Sequence, residues 1–193
     1  MSMHLHSVNL GQIRRLRING RDVATAIGKQ PTRERVQVGP LGLDGDEQAD
    51  PTVHGGLRKA IYAYNWDHYG FWQTVRAQAK VSLWDEELPP GLMGENLTIP
   101  GLDEAKLWIG DRLVLPDCVL VVSEPRMPCG KFNAVMGFNQ ASRLMNQSGY
   151  CGAYLAVLQP GTLQAGEAIR LEPGPRELQL RELFRSRIRP GRD

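Results

Sequence analysis

Cys129 is the residue of this sequence with the clearest capacity for chemistry. It follows a long apolar run, lies next to Pro128, and is bracketed by two cations, Arg126 and Lys131. Proline fixes the local backbone, and positive charge beside a thiol favours the thiolate, the form that acts as a nucleophile or as a soft metal ligand. The other two cysteines lie in apolar or tightly packed surroundings typical of structural thiols; they are Cys118 and Cys151.

Four further segments place polar residues beside glycines, in positions where a rigid sheet presents binding groups. The stretch 25–33 carries Lys29 and Thr32 among exposed backbone amides, a set that suits an anion such as phosphate. His54 precedes two glycines, whose missing side chains let a ligand approach closely. Asn96 lies in a turn at 94–97, and the stretch 41–50 is acidic with a spacing unlike a calcium loop. Each segment alone is also typical of an ordinary solvated or capped turn.

The common cofactor motifs are absent from the sequence. The glycines fit neither a phosphate-binding loop nor the G-x-G-x-x-G pattern, and neither H-E-x-x-H nor C-x-x-C occurs. Three cysteines are too few for a four-thiolate cluster. We therefore predict no flavin, haem or iron–sulfur group in this chain.

The elements that must position these residues are mostly strands. The chain of 193 residues has 21 glycines and 13 prolines spread between short apolar runs, a pattern typical of strands joined by turns. Strands are predicted at 7–18, 34–38, 60–64, 112–115, 118–123, 153–159 and 168–172. This spacing favours a fold that is mainly β with a few helices (α+β), arranged as a barrel or sandwich. The runs on either side of Pro116 predict a hairpin whose second strand is buried on both faces.

Helices are predicted at three places. The first follows Asn65, because apolar residues recur from there to Ala79 at near-helical spacing, and the Asn65 side chain can cap it. The second covers 139–146. After Pro173 the chain alternates arginines with apolar residues, a pattern that predicts a terminal amphipathic helix, docked or solvated, rather than a nucleic-acid or membrane arm. We divide the chain into a β domain at 1–172 and a short C-terminal amphipathic helical extension at 173–193.

Charge and composition narrow the function classes. A net charge of +2 is too small for stable nucleic-acid binding, and no apolar run approaches the roughly 20 residues that cross a bilayer. Three cysteines without a leader-like segment indicate a reduced, cytoplasmic protein. An anionic ligand must therefore meet a local cationic patch.

Taken together, these segments resemble the MOSC domain, the module of molybdenum-cofactor sulfurases and related proteins, and in particular its stand-alone YiiM-like branch. The resemblance covers roughly residues 5–172. It rests on the order of the stretches already described together with Ile109-Gly110-Asp111 and Pro125-Arg126-Met127-Pro128-Cys129. It implies a closed or partly closed MOSC-type β-barrel, binding of the molybdenum cofactor (molybdopterin), and Cys129 as the thiolate ligand of molybdenum. In some members it also implies reduction of N-hydroxylated compounds such as hydroxylaminopurine bases.

The resemblance also assigns roles to the polar segments. The anionic phosphate of the cofactor needs cationic or amide donors, for which the candidates are Lys29, Thr32, His54, Lys59 and Arg126, with Arg58 as the alternative to Lys59. Asn96 is a candidate for orienting the pterin or the substrate. The electrons would come from an external reductase, and a homodimer is possible. Two alternatives stay open: a sulfur transferase with a persulfide on Cys129, and a non-catalytic cofactor carrier.

Overall fold

Strands dominate the fold, as the spacing of glycines and prolines predicts. The computed structural model describes residues 3–18, 20–49 and 55–188. In those ranges the strands are β1 Met3–His4, β2 Ser7–Leu10, β3 Arg14–Ile18, β4 Arg21–Thr25, β5 Gln30–Thr32, β6 Val36–Gly39, β7 Gly42–Leu43, β8 Ile61–Asn65, β9 Leu97–Ile99, β10 Arg112–Val114, β11 Val119–Pro125, β12 Ala153–Gln159, β13 Gly161–Leu163 and β14 Ala168–Glu172. The helices are α1 Tyr69–Gln78, α2 Gly130–Met136, α3 Ala141–Ser148 and α4 Leu180–Arg187, with 3₁₀ turns at Leu57–Lys59 and Trp66–His68.

Nine of these strands form one long sheet. Its order is β1-β14-β10-β11-β12-β8-β9-β2-β5, in which only β8 and β9 are parallel neighbours. The sheet curls into a half-barrel, and smaller sheets of three strands (β13-β6-β7) and two strands (β3-β4) complete it. The prediction of a mainly β, partly closed barrel with a few helices is confirmed.

Two strand predictions were wrong in detail. The single strand predicted at 7–18 is two strands in different sheets, because the chain breaks at Gly11, where an added Cβ would lie 2.6 Å from the carbonyl oxygen of Ala26. The predicted hairpin around Pro116 is present as β10 and β11. However, β11 is not buried on both faces, since Val119 and Val121 are only half-buried.

Strand β8 is buried on both faces, and it separates two cores. Ile61 and Ala63 point into an aliphatic core inside the curled sheet, whereas Tyr62 and Tyr64 point into an aromatic core on the other side. Alternate residues of a strand face opposite sides of the sheet, so aliphatic and aromatic side chains alternate along β8. The helices cover the aromatic core, and it contains Trp72, Phe132 and Phe184 among others.

The predicted helices all occur, with one addition. The Asn65 side chain accepts a hydrogen bond from the Asp67 backbone N–H and so caps the 3₁₀ turn that leads into α1. Helix α3 begins two residues later than predicted, and α4 buries Leu180 and Phe184. Helix α2 was not predicted, because it has only seven residues and starts with glycine, a weak helix former. No helix in the described ranges is long and apolar enough to span a membrane.

The backbone at Gly152 leaves no room for a side chain, so a substitution there should lower stability. It has φ +66°, and an added Cβ would lie 2.4 Å from the carbonyl oxygen of Ala63 in β8. We expect Gly152→Ala to lower the free energy of unfolding by about 2–3 kcal/mol through backbone strain and the clash. Gly166→Ala is the control, since Gly166 has φ +92° and a Cβ added there would have none of the described residues packed within 4 Å; it should lose only about 1 kcal/mol. Urea unfolding of both variants checks this, and equal losses would contradict it.

Candidate functional site

One cleft gathers most of the residues that the sequence singled out. It holds a cavity of about 90 Å³ that opens to solvent. Its walls come from the end of β4 and the loop after it, the acidic loop 46–49, the ends of β8 and β11, helix α2 and strand β12. The lining residues are Thr25, Ala26, Ile27, Lys29, Asp46, Glu47, Gln48, Ala49, Lys59, Tyr62, Gly94, Asn96, Arg126, Cys129, Lys131 and Tyr154.

Cys129 is fixed at the junction of β11 and α2. Its backbone is extended, and its carbonyl oxygen accepts hydrogen bonds from the Phe132 backbone N–H at 2.9 Å and from the Ser142 hydroxyl at 3.3 Å. Phe132 is fully buried in the aromatic core, so it anchors the first turn of α2. The thiol is half-buried at the cleft wall, whereas Cys118 and Cys151 are buried. Cys129 is thus the cysteine placed to meet a ligand.

Arg126 is buried beside Cys129, with only 4% of its surface exposed. Its guanidinium carbon lies 5.3 Å from the ring centroids of both Tyr62 and Phe132, and Nη1 lies 3.7 Å from the sulfur of Met145. The group also hydrogen-bonds to the side chain of Tyr154. Aromatic faces stabilise a cation, but more weakly than a carboxylate does in a buried pair.

None of the carboxylates in the described ranges forms an ion pair with Arg126. Burial disfavours its charge, but the ionisable groups around it, with Tyr62 foremost, outweigh burial and raise the pKa of Arg126 above its ordinary value. The group therefore stays charged in a place where a charge is expensive to keep. An anion in the cleft would supply the missing countercharge.

Lys29 lines the cleft but is already paired. Its ammonium group forms an ion pair with Asp46, and both side chains are buried. Asp46 also accepts a hydrogen bond at 2.7 Å from the Gly11 backbone N–H, and this ties the acidic loop to the turn after β2. The charge that the sequence offered for a phosphate is thus largely neutralised in this structure. The acidic stretch acts here as a structural clamp.

Asn96 lines the cleft while its amide group joins two strands. Its oxygen accepts a hydrogen bond from the Tyr62 backbone N–H at 3.1 Å, and its nitrogen donates one to the Asn9 carbonyl oxygen at 3.3 Å. The side chain is 4% exposed. A role in holding β8 against β2 is therefore visible, and a role in orienting a pterin stays a prediction.

The remaining predicted contacts fall in different places. Lys59 lines the cleft, with its ammonium group 5.8 Å from the ring centroid of Tyr154. Its alternative Arg58 points away and pairs with Glu124 at 3.9 Å. Thr32 is not among the lining residues; its hydroxyl accepts a hydrogen bond from the Glu34 backbone N–H at 3.2 Å. His54 lies outside the described residues.

Two tyrosines of the cleft were missed by the sequence reasoning. Tyr62 and Tyr154 come from neighbouring strands β8 and β12, and their rings lie 5.4 Å apart. Both stand in runs where an aromatic residue sits between aliphatic ones, Ile61-Tyr62-Ala63 and Ala153-Tyr154-Leu155. That alternation was the available signal, because it places the aromatic side chains on the face opposite the aliphatic core.

The described residues contain no group of three or more His, Cys, Asp or Glu side chains that could hold a metal ion. In this part of the chain the cleft offers one thiol and several cations instead. A metal bound at Cys129 would therefore have to bring most of its own ligands, and an anionic ligand that carries soft sulfur donors matches that set.

Glu95 is a buried carboxylate that lies in the chain between two residues of the cleft lining, Gly94 and Asn96. One oxygen accepts hydrogen bonds from the Tyr69 hydroxyl, the Gly91 backbone N–H at 2.9 Å and the Thr98 hydroxyl at 2.8 Å. The other oxygen, Oε2, is buried and has no hydrogen-bond partner among the described residues. Burial raises the pKa of Glu95 above its usual value, against the effect of these hydrogen bonds.

This raised pKa predicts a pH dependence of stability. The folded state holds the Glu95 proton more tightly than the unfolded state, so the stabilisation is full below the unfolded pKa and is lost as pH rises through the folded pKa. We expect Glu95→Gln to flatten the fall in unfolding free energy above about pH 4.5, since a tenfold change in proton affinity corresponds to about 1.4 kcal/mol. Urea unfolding at several pH values checks this, with the half-exposed Glu86→Gln as control. Parallel pH profiles for wild type and Glu95→Gln would contradict it.

Comparisons with known proteins place this cleft in context. A family model described as the MOSC domain matches residues 50–170. The chain is 35% identical over 165 residues to the uncharacterized protein YflK of Bacillus subtilis, covering 86% of this chain and 71% of YflK. It is 34% identical over 172 residues to a protein of Gibberella moniliformis named Reductase, covering 89% of this chain and only 29% of that protein. The crystal structure of YiiM from Geobacillus stearothermophilus superposes with a TM-score of 0.73 at 29% identity, covering 94% of this chain and 82% of that one.

Proposed function

The chain belongs to the MOSC domain family, and we propose from this premise that it is a molybdenum-dependent oxidoreductase. In this proposal the cleft binds the molybdenum cofactor, with the thiolate of Cys129 as a ligand of the metal. The substrates are N-hydroxylated compounds, for example hydroxylaminopurine bases, which are reduced to the corresponding amines.

Arg126 carries the proposal. A buried guanidinium group without a carboxylate partner among the described residues, lying beside a half-buried thiol, indicates a site that an anion completes. A thiolate supplies one negative charge, and a phosphate-bearing ligand with sulfur donors supplies the rest. The residues present therefore fit the molybdenum cofactor.

Different residues of the cleft would bind different parts of the cofactor. Cys129 would ligate the metal, and Arg126 would face the anionic part of the ligand from inside the cleft. Lys59 and Lys131 also line the cleft, where they would meet a phosphate. Lys29 would contribute only after release from Asp46, so its proposed role is the weaker one.

Reduction of an N–OH group to an amine and water consumes two electrons and two protons. The bound cofactor would supply the redox chemistry, and the protein would bind, orient and protonate the substrate. The electrons would come from an external reductase. In the Gibberella moniliformis protein named Reductase, about seven tenths of the protein lies outside the match to this chain, so a region similar to this chain lies there within a longer protein of that name.

A turnover assay with a chemical reductant tests the proposal without the unknown partner. Protein made in a host that synthesises the cofactor is mixed with dithionite-reduced methyl viologen and 6-hydroxylaminopurine, and adenine is measured by chromatography. The proposal expects catalytic formation of adenine. Cofactor-loaded protein without turnover would contradict it, and a persulfide on Cys129 after exposure to a cysteine desulfurase would then indicate sulfur transfer.

A further inference from the structure

We propose that the hairpin formed by β3 and β4 is the docking surface for the external electron donor, and that this donor presents an acidic protein surface to it. The inference rests on the proposed function, which requires electrons from another protein. It depends on two features of the hairpin: a surplus of exposed arginines, and a direct connection to the wall of the cleft.

The two strands of the hairpin carry a concentrated positive charge. They contain one acidic residue, Asp22, and four exposed arginines, which are Arg14, Arg15, Arg17 and Arg21. None of the four arginines forms an ion pair with a residue in the described ranges. Exposed charges of one sign attract a surface of opposite charge over about a Debye length, roughly 8 Å at physiological ionic strength.

The register of the hairpin gives it a charged outer face. Leu16 and Val23 lie opposite each other and are half-buried. Neighbours in a strand alternate between faces, so Arg15 and Arg17 lie on the outer face, with Asp22 opposite Arg17. The carboxylate would repel the continuous phosphates of a nucleic acid, and this face has no aromatic side chain on which a base could stack. A mixed but mainly positive face suits an acidic protein surface instead.

The hairpin is attached to the wall of the cleft. Thr25 both ends β4 and lines the cleft. Lys131 of α2, another residue of the lining, donates a hydrogen bond from Nζ to the Ala24 carbonyl oxygen at 3.0 Å. On the other strand, Arg14 Nη2 donates to the carbonyl oxygen of Ile27 at 3.3 Å. A protein seated on the hairpin therefore lies beside the cleft, as electron transfer to a bound cofactor requires.

The acidic loop of the cleft lies beside the start of the hairpin. Asp46 and Glu47 accept hydrogen bonds from the backbone N–H groups of Gly11 and Ile13, at 2.7 Å and 2.5 Å, and both donors precede β3. Asp46 is also paired with Lys29. These contacts leave the outer face of the hairpin with two arginines against one carboxylate.

The C-terminal segment is also rich in arginine, but its arginines are largely engaged within the chain. Arg176 pairs with Asp111 at 3.0 Å, and Arg187 pairs with Glu124 at 2.9 Å. Arg181 donates a hydrogen bond to a backbone carbonyl oxygen at 2.6 Å. These contacts hold α4 against the domain, so the hairpin is the arginine-rich surface left to attract a partner.

The test measures turnover of 6-hydroxylaminopurine by cofactor-loaded protein, with photochemically reduced flavodoxin or [2Fe–2S] ferredoxin as the acidic one-electron donor. Two encounters deliver two electrons, which with two protons from solvent convert R–NHOH to R–NH₂ and water. We expect the double variant Arg15→Gln/Arg17→Gln to raise the KM for the donor protein about 10-fold or more at low salt, since electrostatic steering raises association rates by about 10- to 1,000-fold. At 1 M NaCl, where the Debye length is about 3 Å, the two proteins should converge.

The double variant Arg112→Gln/Arg185→Gln is the matched control. It removes the same charge from exposed positions in β10 and α4 that form no ion pair in the described ranges. Its KM should stay within about twofold of wild type, and turnover with methyl viologen should be unchanged in both variants. Equal KM values in the two variants, or wild type that is active with methyl viologen but with neither protein donor, would overturn the inference.

A second readout does not depend on turnover. In ¹⁵N-labelled protein, we expect oxidised flavodoxin to shift the amide resonances of β3 and β4 and to leave those of α4 in place. Shifts confined to α4, or binding of a single-stranded oligonucleotide at 150 mM NaCl that Arg15→Gln/Arg17→Gln abolishes, would contradict an acidic protein partner at the hairpin. Wild type that is loaded with cofactor but inactive with methyl viologen would instead overturn the proposed function.

Discussion

Replacing Cys129 by serine is expected to lower turnover of an N-hydroxylated base by more than about 100-fold, because loss even of outer partners of a metal ligand lowers affinity or activity by about 10–100-fold. A serine oxygen is a harder donor than a thiolate and suits a soft, sulfur-rich metal site poorly. The fold should tolerate the change, since serine is close to cysteine in size and keeps the backbone carbonyl that accepts hydrogen bonds from Phe132 and Ser142.

Cys118→Ala provides the matched control for that experiment. Cys118 is buried in the aliphatic core, away from the cleft lining, and burial raises its pKa to about 11. Its replacement should lower stability slightly and leave turnover unchanged. Turnover by Cys129→Ser at the wild-type rate, or an equal loss in Cys118→Ala, would contradict the role assigned to Cys129.

Replacing Arg126 by methionine is expected to weaken cofactor binding without lowering the stability of the cofactor-free protein. Hydrogen bonds to a charged group contribute about 1.5–3 kcal/mol each, so loss of one weakens cofactor binding by about 10- to 150-fold. The cofactor-free protein should unfold with an unchanged or higher free energy, by up to about 3 kcal/mol, because an apolar side chain of similar length replaces a buried charge without a carboxylate partner among the described residues.

Two measurements decide that prediction: pterin and molybdenum content after purification, and urea unfolding of the cofactor-free protein. Arg58→Met is the control, since Arg58 lies outside the cleft lining and pairs at 3.9 Å with Glu124. It should change neither quantity much. Full cofactor content in Arg126→Met, or marked destabilisation of its cofactor-free form, would show that Arg126 is a structural rather than a binding residue.

The strand framework was predictable because its signals are local. Alternating apolar residues bounded by glycine and proline predicted the segments 153–159 and 168–172 with the limits that β12 and β14 have. Short elements with weak local signals were missed. Helix α2 has seven residues, and β5 contains Pro31, which removes a ladder hydrogen bond.

The site was predictable only in part, because some of its side chains pair with residues that are distant in the sequence. The sequence pointed to Cys129, Arg126, Lys59, Lys29 and Asn96, and these residues do line one cleft. It could not show that Lys29 is neutralised by Asp46, because ion pairs between distant segments depend on the tertiary fold. Nor could it show that Tyr154 and Arg126 meet, since β12 and the loop after β11 are brought together by strand pairing.

The role of Cys129 in cofactor binding is tested by the molybdenum and pterin content of purified wild-type protein and Cys129→Ser, both made in a host that synthesises the cofactor. Elemental analysis and the fluorescence of oxidised pterin give the two amounts. We expect about equal amounts of metal and pterin in the wild type and a large loss of both in the variant. Folded wild-type protein that contains neither would contradict it.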